Sequence, residues 1–236
     1  MEVRIAVSKI KKYATSTSGD TVEVIERPNG GISIVLADGQ SSGRGAKWVS
    51  SFVVRKVISL LAEGVRDGAA ARAASDALFT ERQGRVSATL NILSVDLQTN
   101  TVVITRNNPA PVFIACNEEI TCLEDESIPI GIYRDTRPII SEITLEMDLS
   151  VVMYTDGITH AGSRYGESMD SMTCLQALLI EGENPTAKTI ADSLLKHAIQ
   201  LDQGRPTDDI SIVALRVISN GGDKIRRMMI QLPISP

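Results

Sequence analysis

Apolar positions along the first third of the chain change period twice. Val22, Val24 and Ile25 on one arm and Ile32, Ile34 and Leu36 on the other flank Pro28-Asn29-Gly30-Gly31. This pattern predicts a β-hairpin, because Asn and Gly accept the positive φ of a tight turn. Beyond "ADGQSSGRG", the spacing becomes three and four, with Trp48, Val49, Phe52, Val53, Val57, Leu60 and Leu61 on one face. That is an amphipathic helix ending near Gly64. "GAAARAASDALFTERQG" predicts a second, Ala-rich helix able to pack closely. Residues 87–125 return to short β-branched runs, broken at Gln98-Thr99-Asn100, Asn107-Asn108-Pro109 and Asn117-Glu118. These breaks read as meander turns between antiparallel strands. "RPIISEITLEMD" and "SVVMYTDGI" predict two further strands, "SMTCLQALLIEG" and "TAKTIADSLLKHAIQLD" two helices, and "DDISIVALRVI" a final strand. The order of strands, helices, strands, helices, strand is that of an α+β domain with segregated helices.

Composition narrows the classes. With 43% hydrophobic and 22% charged residues, the chain reads as a globular protein whose core rests on aliphatic side chains, aromatics being only 3%. No apolar run has the length of a membrane span, and the first residues lack a secretory signal. A net charge of -5 argues against bulk attraction to nucleic acid. Cys116, Cys122 and Cys174 fit no zinc spacing and read as ordinary thiols of a cytoplasmic protein. The tail, Lys224 to Leu232 after a turn at Asn220-Gly221-Gly222, reads first as an added edge strand and second as a basic, Met-bearing docking arm.

The candidate chemistry lies in carboxylates at strand ends. If the hairpin turns about Asn29 and Gly30, Asp20 faces Asp38 across the ladder. Facing like charges destabilise a sheet and raise one another's pKa, and a cation between them removes both penalties. "SVVMYTDG" also ends an apolar strand in Asp156-Gly157, and Asp208-Asp209 opens the last strand. If these strands neighbour the hairpin in one antiparallel sheet, all the acidic points meet at one end. Oxygen donors of this kind suit Mg²⁺ or Mn²⁺ better than zinc. Taken singly, each Asp is an ordinary strand cap. "DGQSSGRGAK" lacks the ending of a phosphate-binding P-loop.

These residues, in order, resemble the metal-dependent protein serine/threonine phosphatases (PPM), in their bacterial SpoIIE/RsbU/RsbX-like branch. The likeness is carried by "SGDTVEV", "LADGQSSGRGA", "RNNPAPVFI", "SIPIGI", "YTDGITHA" and "PTDDISIVAL". It implies a four-layer αββα sandwich, two antiparallel sheets flanked by helices, over residues 1–218, with 219–236 as an extension. It also implies two Mn²⁺ or Mg²⁺ ions held by Asp20, Asp38, the Gly39 carbonyl, Asp156, Asp208 and Asp209, of which the first Asp of the last pair is the family's usual ligand. Asp38 would bridge the ions, and Asp38 and Asp156 would act through a metal-activated water that attacks phosphorus. The implied activity is hydrolysis of phospho-Ser or phospho-Thr on regulatory proteins, in particular stressosome proteins with STAS domains, resetting a stress signal. With nothing preceding the first motif, the chain is expected to be a bare phosphatase domain like the RsbX-type members. The competing expectation is a catalytically weak, phosphatase-like binding module that sequesters a signalling partner.

Departures from the family pattern are specific. Gln40 stands where eukaryotic members carry a His proposed as general acid, Asn107 replaces the His of a Gly-His-Asn-Pro turn, and His160 replaces a common Glu. His160 is expected near the metal shell or on the surface, and His197 on a helix face. No Arg occupies a clear phosphate-binding position, which leaves phosphate recognition to the metals.

Overall fold

The hairpin forms as its pattern requires. The computed structural model describes residues 1–117, 119–181, 184–219 and 224–234. Strands β2 (Asp20–Glu26) and β3 (Ile32–Gly39) pair antiparallel, with Glu26 opposite Ile32 and Asp20 opposite Asp38. Gly30 supplies the left-handed residue of the turn, at φ +86. β3 is buried on both faces, which explains its nearly continuous apolar run. Ile34 and Leu36 face the second sheet, and Val35 and Ala37 face helices.

Two five-stranded antiparallel sheets result. One has the order β2-β3-β4-β5-β8, with β4 at Ala88–Asp96, β5 at Thr101–Asn107 and β8 at Ile139–Thr144. The other has the order β1-β10-β9-β6-β7, comprising β1 (Glu2–Ile10), β10 (Ile210–Ile218), β9 (Ser150–Tyr154), β6 (Val112–Cys116) and β7 (Glu119–Leu123). Between the sheets lies an aliphatic core that includes Leu93, Ile104, Val151, Met153, Val213 and Leu215. Helices α1 (Gly43–Ala62) and α2 (Asp67–Arg82) cover the first sheet. The buried stripe Val49, Val53, Val57 and Leu61 has the predicted spacing. On the second sheet, α4 (Ser171–Gln176) and α5 (Ala187–Leu201) bury Leu175, Ile190 and Leu194. Each such Leu or Ile contributes roughly 1.5–3 kcal/mol of burial free energy. The α+β, four-layer αββα architecture is therefore observed.

Three expectations change. Asn107-Asn108-Pro109 is not a meander turn: it carries the chain from β5 in one sheet to β6 in the other. Asn108 makes this crossing stable by donating to the Tyr154 carbonyl at 3.0 Å and accepting from the Ala110 amide at 3.0 Å. β9 and β10 do not neighbour the hairpin in one sheet but belong to the facing sheet. Residues 224–234 add no strand and are exposed. Their apolar positions, 225, 228, 229, 230 and 232, lack period-2 alternation, and Pro233 cannot donate to a ladder. Arg226 ties the segment to the hairpin turn, donating to the Gly30 carbonyl at 2.8 Å and pairing with Glu26 at 3.4 Å. The turn expected at Asn220-Gly221-Gly222 lies outside the described residues, as do Glu118 of the β6–β7 turn and the end of the helix expected to reach Gly182.

Candidate metal centre

The two sheets bring their acidic strand ends to the same end of the sandwich. Asp20 opens β2 and is fully buried. Its Oδ2 accepts from the Thr155 hydroxyl at 3.0 Å and the Ser211 hydroxyl at 2.6 Å, both from the facing sheet. Its Oδ1 is equally buried and finds no N–H or hydroxyl donor, the Asp38 carboxyl being close enough to Asp20 to bond to it only through a shared proton. An orphaned carboxylate oxygen costs about 1–3 kcal/mol or more, so the site is built to receive a donor or a cation. The Asp20 carbonyl is occupied as well, by the Lys9 ammonium at 2.6 Å and the Lys47 ammonium at 2.9 Å. Burial lowers the pKa of both lysines.

Asp38 faces Asp20 from the end of β3. Burial first, and then the charges of Asp20 and Asp156, push its carboxyl up to about 9. Burial raises Asp20 too, against the opposing Ser211 hydrogen bond and the Lys9 charge. Asp156 lies two residues beyond the end of β9 and is raised by burial and by Asp208, with His160 opposing. Asp38, Asp156 and Asp208 line a cleft of about 420 Å³, walled by Gln40, Ser87 and Pro129 among others.

The adjacent acids of the last motif separate. Asp208 faces the cleft. Asp209 is 3% exposed, and its two oxygens accept the Lys12 amide at 2.9 Å and the Gly19 amide at 2.8 Å. Grouped with the metal ligands from the sequence, Asp209 instead latches the β1–β2 connection and does not line the cleft.

The Asp-Gly glycines also have a packing reason. A Cβ on Gly39 would lie 2.1 Å from the Ala46 carbonyl oxygen of α1, and one on Gly157 would lie 2.2 Å from the Asp209 carbonyl oxygen. Each glycine lets another segment's backbone cross directly beside a cleft carboxylate. Ser50 of α1 donates to the Gly19 carbonyl, and its hydroxyl lies 2.8 Å from that of Thr21, so α1 is fastened to the start of β2.

Gln40 is held away from acid chemistry, its Oε1 accepting the Ser87 amide at 2.9 Å. Asn107 serves structure, its amide donating to the Ile128 carbonyl at 3.0 Å beside Pro129 of the cleft wall. His160 lies on the single turn α3 (Gly157–His160), with Nδ1 3.8 Å from Asp156 Oδ2.

Sequence reasoning missed Lys9, Lys12, Lys47, Thr155 and Ser211. Period-2 alternation from Asp209 places Ser211 on the same strand face, and Lys9 pairs opposite Ser211 in the β1–β10 register. No local motif marked Lys12, the basic residue among the described residues lining the cleft.

Residues 28–218 match the family model described as Stage II sporulation protein E (SpoIIE). The chain belongs to the SpoIIE family. Its curated relatives include the stage II sporulation protein E of Priestia megaterium, 21% identical over 92% of this chain, and that of Bacillus subtilis, 23% identical over 92%. The chain spans only 37% and 27% of their lengths. Among solved structures, the PP2C phosphatase domain of Bacillus subtilis SpoIIE with a fragment of its regulatory domain superposes with a TM-score of 0.79. That match is 20% identical and covers 93% of this chain and 64% of that one. The catalytic domain of the serine/threonine phosphatase PstP, solved with two manganese ions, gives a TM-score of 0.70 at 16% identity, covering 92% and 99%. RsbX in complex with magnesium gives 0.67 at 14% identity, covering 90% and 94%. At these identities the solved structures establish the fold. The SpoIIE-family fold is thus that of the PP2C-type, metal-dependent serine/threonine phosphatases. No helix among the described residues is long and apolar enough to cross a membrane.

Proposed function

We propose that this chain is a serine/threonine phosphatase that hydrolyses phospho-Ser or phospho-Thr on regulatory proteins, using two divalent ions, Mn²⁺ or Mg²⁺. The observation that carries this reading is the buried, unpartnered Asp20 Oδ1 facing Asp38 beside a cleft that Asp156 and Asp208 also line. Asp20, Asp38, Asp156 and Asp208 would hold the ions, with the Gly39 carbonyl as a further oxygen donor. When bound, the ions supply Lewis acidity and a water acidified enough to attack phosphorus near neutral pH.

The chain's own residues perform the remaining tasks. Thr155 and Ser211 fix the rotamer of Asp20, leaving Oδ1 to point away from them. Lys9 and Lys47 sit close enough to offset part of the accumulated negative charge without occupying either Asp20 carboxylate oxygen. Lys12, whose amide is held by Asp209, offers an ammonium at the cleft to the phosphoryl oxygens of a substrate. This assigns phosphate recognition to a protein side chain in addition to the metals. Gln40 cannot donate as an acid to the leaving alkoxide, and that proton would come from water at the site.

The substrates we favour are phosphorylated STAS-domain proteins of a stressosome, with a cytoplasmic role in resetting a stress signal. Support for that choice is the motif resemblance to RsbX-type members. A phosphatase-like sequestering module remains the competing class, and the retained carboxylate set argues against it. The test is release of phosphate from phosphorylated STAS-domain proteins and from an unrelated phosphoserine peptide, with Mn²⁺ and after chelation. Metal-dependent release is expected, faster from the STAS proteins. Equal rates on both substrates would remove the substrate assignment, and no release from either would leave the sequestering module.

A further inference from the structure

His160 was the one motif position where this chain offers an imidazole in place of a carboxylate, and the fold places it with two cleft acids. Asp156, His160 and Asp208 each present a ligand atom within 4.8 Å of the others. Two ligands sharing an ion at ordinary bond lengths of about 2.0–2.2 Å stand about 3–4 Å apart. The His160 Nδ1 to Asp156 Oδ2 separation, 3.8 Å, is in that range and too long for a hydrogen bond.

The backbone fixes this placement while leaving the ring available. The His160 amide donates to the Asp156 carbonyl at 2.9 Å, and the Ser163 hydroxyl donates to the His160 carbonyl at 2.6 Å. Asp156 and His160 are four residues apart on one helical turn and so face the same way. The imidazole is 59% exposed, so its second nitrogen can be satisfied by water. The cluster adjoins the hairpin carboxylates, since Asp38, paired opposite the buried Asp20, lines the same cleft as Asp156 and Asp208.

We propose that His160 is a direct ligand of the ion held by Asp156 and Asp208, and that it selects Mn²⁺ or another transition-metal ion over Mg²⁺. This rests on the two-ion reading above. The selectivity follows from donor chemistry. Mg²⁺ prefers oxygen and sheds its waters reluctantly, whereas imidazole nitrogen suits first-row transition ions. The carboxylates of Asp20 and Asp38 favour no such discrimination, so the preference is located at the β9–β10 side of the cleft.

The test compares the wild-type chain with His160→Gln and His160→Glu by titration with Mn²⁺, Co²⁺ and Mg²⁺ alone, and by electron spin-echo spectroscopy of the Mn²⁺ forms. The expected result is imidazole ¹⁴N modulation in wild type that vanishes in His160→Gln. Mn²⁺ and Co²⁺ affinity should fall about tenfold in that variant, with Mg²⁺ affinity changed less than about twofold. His160→Glu should bind Mg²⁺ more tightly than wild type. Absent modulation with unchanged Mn²⁺ and Co²⁺ affinities, or equal weakening of Mn²⁺ and Mg²⁺, overturns the role of His160 and leaves the two-ion reading intact. A wild-type chain that binds no divalent ion overturns both.

Discussion

The cleft has two acidic walls built on opposite principles. On the hairpin side, Asp20 and Asp38 are paired by strand register, and Asp20 is fully buried, with two hydroxyls and two nearby ammonium groups setting its environment. On the β9–β10 side, the Asp156 side chain is 39% exposed and meets a solvent-facing His160. The first wall is buried and crowds like charges, which a bound proton or a cation relieves. The second is open and chemically mixed. The difference teaches that ion capture and ion choice need not reside in the same residues: buried like charges create the demand for a cation, and the open wall can discriminate between cations.

The largest expected effect is on catalysis. Asp38→Asn and Asp156→Asn should each lower hydrolysis of a phosphoserine peptide by about a thousandfold or more at saturating Mn²⁺, because each removes an ionic oxygen donor. A loss confined to Asp38→Asn would break the comparison by making the open wall dispensable.

Next comes the backbone crossing beside Asp38. Gly39→Ala forces a Cβ within 2.1 Å of the Ala46 carbonyl, and should cost about 1–3 kcal/mol or more in urea unfolding of the metal-free chain. Unchanged stability would show that α1 is free to move away from the strand. Lys12→Ala should raise KM about tenfold with a smaller change in kcat, since its amide latch to Asp209 is a backbone contact that the substitution keeps. A kcat loss with KM unchanged would place Lys12 at the transition state only.

The last prediction is a pH dependence that separates the walls. Asp38 is raised in the folded state to about 9, from an unfolded value near 4, so the native chain binds more protons than the unfolded one across that window. Metal-free stability should therefore fall as pH rises from about 5 to 9. Asp38→Asn should flatten that slope and raise Tm at pH 8.5, with about 2–4 °C expected per kcal/mol of relieved repulsion. Asp156→Asn, at the more exposed wall, should flatten it less. Thermal unfolding of the metal-free proteins at several pH values decides this, and equal slopes for both variants would erase the distinction between the walls.

Much of this was legible in the chain. The hairpin arithmetic placed Asp20 opposite Asp38 because period-2 alternation and an Asn-Gly turn fix register locally. The helical stripes of α1 and α5 were legible from their spacings of three and four. What local pattern could not show was which sheet each strand joins. The Asn107-Asn108-Pro109 break looks like any turn, yet it crosses between sheets, held by contacts to Tyr154 and Ile128 far along the chain. The same limit hid the split between Asp208 and Asp209. Both precede β10, and only the fold reveals that Asp208 meets the cleft while Asp209 meets the Lys12 and Gly19 amides. The tail misled because β-branched and Met residues promise a strand only where an edge and an alternating face exist to receive them.

Calorimetric titration of Mn²⁺ into the chelator-treated wild-type chain and Asp38→Asn tests the central claim most directly, because it reads the carboxylate cage without requiring a substrate. The account predicts two ions bound by wild type and loss of at least one by Asp38→Asn. Equal stoichiometry and affinity in the two proteins would contradict it.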